Sequence, residues 1–164
     1  MSQKTSSCVR EAVENIEDLQ NAVEEDCPTG CHSKLLSVSH SLGDTVPFAI
    51  FTSKSTPLVA FGNVGELDNG PCFNTVFFRV ERVHGSCATL SLLIAFDEHK
   101  HILDFTDKDT VCEVFRLEKT NYCIEVDLDC FCAINCLNPR LINRTHHHGG
   151  GEAAAKGGGG SLRR

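Results

Sequence analysis

The stretch "TVFFRVERVHGSCATLSLLIAF", Thr75 to Phe96, decides the fold. In its first half Val76, Phe78 and Val80 fall on one face. In its second half Ala88, Leu90, Leu92, Ile94 and Phe96 do the same. A period of two is the signature of an extended strand. His84, Gly85 and Ser86 supply the turn between the halves, so the segment predicts an antiparallel hairpin.

Working outward, "VPFAIFT" (Val46 to Thr52) and "PLVAFG" (Pro57 to Gly62) predict two strands joined by a polar turn. "GNVGELDNGP" then predicts a loop. Beyond the polar turn "DEHKH", which also carries His99 and His101, "ILDF" (Ile102 to Phe105) and "VCEVFRLE" (Val111 to Glu118) are further strand candidates. In "YCIEVDLDCFC" the alternation predicts one last strand. It places Tyr122, Ile124, Val126, Leu128, Cys130 and Cys132 on the core face, and Cys123, Glu125, Asp127 and Asp129 outside. Arg79 and Arg82 flank Glu81, a pattern that suggests cross-strand charge pairing.

Upstream of the strands the period changes. Val9, Ala12, Val13, Ile16, Leu19, Ala22 and Val23 recur at three- and four-residue steps, which predicts an amphipathic helix from Ser7 to Glu25. Ser6 or Ser7 caps it, and Pro28 and Gly30 stop it. Such a helix packs on its own domain or reaches a neighbouring subunit. The predicted fold is therefore mainly β: an antiparallel β-sandwich or barrel-like domain with one N-terminal amphipathic helix. The helix and its flank occupy 1–26, a cysteine-containing loop 27–45, the β-rich core 46–142 and a histidine tail 143–148. Residues 149–164, GGGEAAAKGGGGSLRR, have the composition of designed spacer modules and are set aside from the fold.

Charge narrows the partners. Of 15 basic and 22 acidic residues, removing Glu152, Lys156, Arg163 and Arg164 leaves 12 and 21, a net charge of about −9 on Met1 to His148. That sign disfavours nucleic acid and anionic membranes. All 10 cysteines lie in the same stretch, yet the charged N-terminus has no apolar core of a secretory signal, so cytosolic synthesis is expected. A high cysteine load and a reducing compartment conflict. The function has to reconcile them.

Three chemistries could use the thiols. Zinc sites prefer paired CxxC knuckles, whereas "CPTGC" (Cys27 to Cys31) and "CFCAINC" (Cys130 to Cys136) space their thiols differently. A zinc-binding structural module with an acidic partner-binding face is still the principal alternative. Redox or nucleophilic catalysis needs cations or a helix N-terminus beside the thiol, but Cys123 neighbours Glu125 and Asp127, and Cys27 follows an acidic run. No catalytic residue, cofactor or resident metal is expected, and no enzyme motif appears. His146 to His148 could chelate a metal adventitiously. Crosslinking fits best: Cys8, Cys27, Cys31, Cys87 and Cys123 are the candidates for intersubunit disulfides, with Cys130, Cys132 and Cys136 as mainly structural thiols, the first two facing the core. A monomer with internal disulfides is the competing arrangement.

The segments "CPTGC", "VPFAIF", "FGNVG", "VFFRVE", "CATLS" and above all "LEKTNYCIEVDLDCFCAINCL" resemble the CotY/CotZ family of spore coat proteins from endospore-forming bacteria. The resemblance covers Met1 to about His148. It implies a non-enzymatic morphogenetic protein of the outermost spore layer, the crust or exosporium. Such a protein is made in the mother cell and assembles with itself, a sister CotY-type protein and other coat proteins into a disulfide-crosslinked two-dimensional lattice. The family's shared cysteines map onto Cys27, Cys31, Cys72, Cys87, Cys123, Cys130, Cys132 and Cys136.

Overall fold

A computed structural model describes residues 7–25, 43–107 and 109–145. Helix α1 (Cys8–Glu25) is followed by seven strands: β1 (Phe48–Phe51), β2 (Ala60–Gly62), β3 (Phe73–Thr75), β4 (Phe78–His84), β5 (Cys87–Phe96), β6 (Arg116–Asp127) and β7 (Ala133–Cys136). The main sheet has the order β6-β5-β4-β1-β7, and β2 and β3 form a second, two-stranded sheet. All these pairings are antiparallel. The architecture is mainly β and sandwich-like, with the single helix outside, as the sequence predicts.

The hairpin forms where expected. His84 pairs with Cys87 across a two-residue turn, and Gly85 adopts φ +63°, a conformation that favours glycine and matches the twist of the flanking strands. One detail escapes simple alternation. The register of β4 shifts between Val80 and Arg82, so Glu81 is an extra residue and Val83 returns to the face of Val80. Without the bulge Val83 would point away from the core.

Helix α1 packs on this face. Ser7 caps it, its Oγ accepting from the Arg10 N–H at 3.1 Å. The buried stripe is Val9, Val13, Ile16 and Gln20, while Leu19 is 53% exposed. The predicted apolar stripe is thus narrower than the periodicity indicates, because the polar Gln20 takes a core position. Its Nε2 donates to the Val80 carbonyl at 2.7 Å and its Oε1 accepts from the Val46 N–H at 3.1 Å. Glu17 accepts from the Val83 N–H at 3.2 Å. Beyond Phe78 the strand β4 has no partner on the β1 side, and these two side chains satisfy its edge.

Apolar clusters line both faces of the sheet. Under the helix, Phe48, Ile50, Phe78, Val80, Leu90 and Leu92 are fully buried, and Phe73 brings the small sheet onto the same cluster. On the far face Phe77, Leu93, Ala95 and Leu117 form a second cluster with Phe105. Gly62 is required where the small sheet is tightest, since a Cβ there would run into the Phe73 ring.

Four predicted strands are corrected. "PLVAFG" yields β2, but it pairs with β3 and touches β1 only through the Phe51–Pro57 bridge. "ILDF" contributes one bridge at Ile102, and Asp109–Glu113 is a 3₁₀ turn, so β6 starts only at Arg116. The largest departure is "YCIEVDLDCFC". Asp127 caps a 3₁₀ turn at Leu128–Cys130 by accepting from the Asp129 N–H at 3.0 Å, and this ends the strand. The chain then crosses to the opposite edge of the sheet to make β7. The crossing covers about 16 Å against roughly 19 Å for four flat strand gaps, so the sheet curls to bring its edges closer.

Candidate crosslinking surface

The eight described cysteines, Cys8, Cys72, Cys87, Cys112, Cys123, Cys130, Cys132 and Cys136, are all free and all exposed. Cys27 and Cys31 lie outside the described residues. For Cys8, Cys87 and Cys123 exposure agrees with the sequence reading. For Cys130 and Cys132 it overturns the expected core-facing position, and Cys136, expected to be structural, is exposed as well. The alternation that seemed to bury Cys130 and Cys132 stops at Asp127; Leu128 alone of that tail remains buried, Cys130 sits in the 3₁₀ turn and Cys132 precedes the edge strand β7. Cys112 is an exposed thiol that sequence reasoning left out, and Cys72, placed only by the family resemblance and not among the crosslinking candidates, is exposed too. Cys112 was hidden inside an apparent strand that is in fact a turn.

The ladders separate Cys87 from Cys123. Cys87 pairs with Asp127, Thr89 with Glu125 and Ser91 with Cys123, so Cys87 and Cys123 share one face of the sheet. They stand roughly 14 Å apart, because four residues of strand and one inter-strand gap intervene. A disulfide needs Cα atoms no more than about 7 Å apart, so these two cannot bond to each other within one chain. Cys132 sits at the bend that leads into β7, and Cys136 ends that strand four residues on. Among the described residues no three His, Cys, Asp or Glu side chains gather where they could hold a metal ion.

Electrostatics mark Cys123. Burial pushes its thiol pKa up, and the carboxylates of Glu81 and Glu125 push it further. The acidic surroundings were legible in sequence, but Glu81 replaces the expected Asp127. Glu81 is fixed there by Arg79, whose Nη1 donates at 2.6 Å, and by the Ser91 hydroxyl at 2.7 Å. The Arg79–Glu81 pair thus lies within one strand instead of across two. Cys136 is exposed as a residue, yet neighbouring protein atoms strip enough water from its sulfur to raise its pKa. His99 and His101 sit in the solvated turn as expected, with His101 Nδ1 3.3 Å from Asp97 Oδ2.

The family model described as Spore coat protein Z matches residues 1–139. The chain belongs to that family of spore coat proteins. Membership gives it a structural role in the spore coat, at the spore surface and in the company of other coat proteins. The match takes in all ten cysteines and every strand described above. No solved structure matches the chain.

Proposed function

We propose that this coat protein is a non-catalytic building block of the outermost spore layer, the crust, where copies dock non-covalently and are then joined by disulfides. Eight exposed thiols carry this reading, with Cys87 and Cys123 out of each other's reach on one face of the sheet. A surface thiol that cannot reach a partner in its own chain is available to a neighbour. Exposure also removes the packing argument for Cys130, Cys132 and Cys136, which join Cys8, Cys87 and Cys123 as crosslinking groups in this account. Cys27 and Cys31 complete the proposed set.

The order of events follows from geometry. A disulfide tolerates only a narrow range of Cα separations, so non-covalent docking must bring sulfurs together before oxidation can join them. Repeated weak contacts accumulate by avidity while the chain is reduced in the mother cell, and oxidation at the spore surface makes them permanent. A sister CotY-type protein and other coat components occupy neighbouring positions in the same layer.

Electron microscopy with gels run with and without reductant tests this. The account predicts high-mass species that collapse on reduction, and ordered but fragile sheets when Cys8, Cys27, Cys31, Cys87 and Cys123 are all replaced by Ser. A monomer in both gel lanes would refute crosslinking between chains. Loss of all order in the Ser variant would refute docking before oxidation.

A further inference from the structure

The loop "NVGELDNGP", Asn63 to Pro71, joins β2 to β3 and displays its apolar side chains instead of burying them. Val64 is 69% exposed and Leu67 90%, and Phe61 at the base of the loop is 63% exposed. The loop is nonetheless held in one shape. Asn63 is buried beneath it, where its Nδ2 donates to the Gly70 carbonyl at 2.8 Å and its Oδ1 accepts from the Asp68 N–H at 3.2 Å. The Glu66 N–H donates to the Asn63 carbonyl at 2.9 Å, and the Tyr122 hydroxyl ties Asp68 to β6 at 2.6 Å. A loop already fixed in this way loses little freedom when a partner covers Leu67.

The far face of the sheet carries a complementary shape. A hollow of about 570 Å³ is walled by Phe51, Val76, Phe77 and Leu137, with the exposed apolar side chains of Val59 and Val111 also lining it. Of the six large apolar side chains exposed among the described residues, all but Leu19 thus belong to the loop and its base or to this hollow. Exposed apolar groups gathered in this way mark contact surfaces. No loop residue lines the hollow of its own chain. The loop is tied to Tyr122, which packs on the cluster under the helix, whereas the hollow opens on the far-face cluster.

We propose that the Val64–Leu67 loop of one copy docks in the far-face hollow of a second copy. The inference rests on the crosslinked-assembly reading and names a non-covalent contact that precedes oxidation. Size agrees: a hollow of about 150 Å³ takes a benzene ring, so about 570 Å³ has room for the Val64 and Leu67 side chains together. Charge agrees as well. Lys54 is exposed in the turn that brings Ser55 and Thr56 to the hollow, and Glu66 is exposed on the loop between Val64 and Leu67, so docking can set ammonium against carboxylate. The carboxylate that lines the hollow, Asp107, is taken up by its own turn, accepting from the Asp109 and Thr110 N–H groups at 3.0 and 3.1 Å. Loop and hollow are different surfaces, so a copy that accepts a loop still offers one, and the contact repeats from chain to chain. It buries much less than the roughly 800 Å² per partner of a stable pair and holds through that repetition.

The test replaces Leu67 by a photoreactive benzophenone amino acid in the reduced full-length chain, mixes it with isotopically heavy unmodified chain, and maps the products of irradiation by mass spectrometry. Crosslinks should fall on heavy peptides that contain Val59 or Val111. In sedimentation of the reduced chain, Leu67→Asp and Val111→Asp should each weaken association roughly 10-fold or more, since a charge replaces an apolar contact. An equal mixture of these two variants should recover pairs, because one keeps the hollow and the other keeps the loop. Glu66→Lys should weaken association up to about 5-fold, and adding Lys54→Glu should restore it. Crosslinks confined to other surfaces, or association indifferent to both apolar variants, would overturn this contact while leaving interchain crosslinking intact. Two weakened variants whose mixture recovers nothing would overturn the pairing of loop with hollow. A chain that stays monomeric when concentrated and forms no interchain disulfide would overturn both this contact and the assembly reading.

Discussion

The two edges of the main sheet differ in length and in chemistry. At one edge β6 runs for twelve residues and exposes Cys123; at the other, β7 runs for four and is flanked by Cys130 and Cys132 and ends at Cys136. Long unpaired edges invite another strand, and short ones resist it. The comparison separates docking from sealing: β6 has the backbone for association, whereas β7 offers thiols with little ladder behind them.

Core damage should separate the edges most strongly. Phe48 is fully buried and holds the only register pair between β1 and β4, and it also pairs with Cys136 on β7. Phe48→Ala should cost about 3–5 kcal/mol in urea unfolding. Hydrogen exchange should quicken across β1 and β7 while β5 and β6 stay protected. Uniform loosening of both edges would mean that the sheet behaves as one unit.

A backbone change on β6 should have the next largest effect. Proline is tolerated at an edge position whose N–H faces solvent, so Glu125→Pro should leave the monomer folded. Each chain would lose one outward N–H donor from this edge, weakening any strand pairing there by roughly 5-fold at about 1 kcal/mol. Sedimentation under reducing conditions measures it. Replacing Cys132 and Cys136 by Ser should leave that reduced association unchanged and lower only resistance to shear after oxidation.

The smallest effect is electrostatic. Burial and the carboxylates of Glu81 and Glu125 hold the Cys123 thiol above its ordinary range, so its thiolate, and with it its alkylation rate, rises only at higher pH. Glu125→Gln removes one negative charge and should move that rate profile to lower pH, by less than a full unit because burial remains the leading cause. An unmoved profile would show that Glu125 does not act on this sulfur.

Much of this contrast was visible in the residues themselves. The hairpin, β1 and the helix follow from uninterrupted periodicity, and Gly85 sits where the turn needs it. The division of "YCIEVDLDCFC" into β6 and β7 was not visible, because alternation continues through Leu128, Cys130 and Cys132 while Asp127 and the turn it caps end the strand. An aspartate able to cap a turn was the available signal. The β4 bulge at Glu81 and the burial of Gln20 depend on two elements meeting, which one segment cannot reveal. Exposure of Cys87 and Cys123 was legible from alternation; that of Cys130 and Cys132 was lost with the strand boundary.

The central claim is that sulfurs on this surface bond between chains. Mixing equal amounts of reduced isotopically light and heavy protein, oxidising after assembly, and sequencing the disulfide-linked peptides tests it directly. The account predicts abundant light–heavy pairs. Disulfides found only as light–light and heavy–heavy pairs would place every bond within its own chain and contradict it.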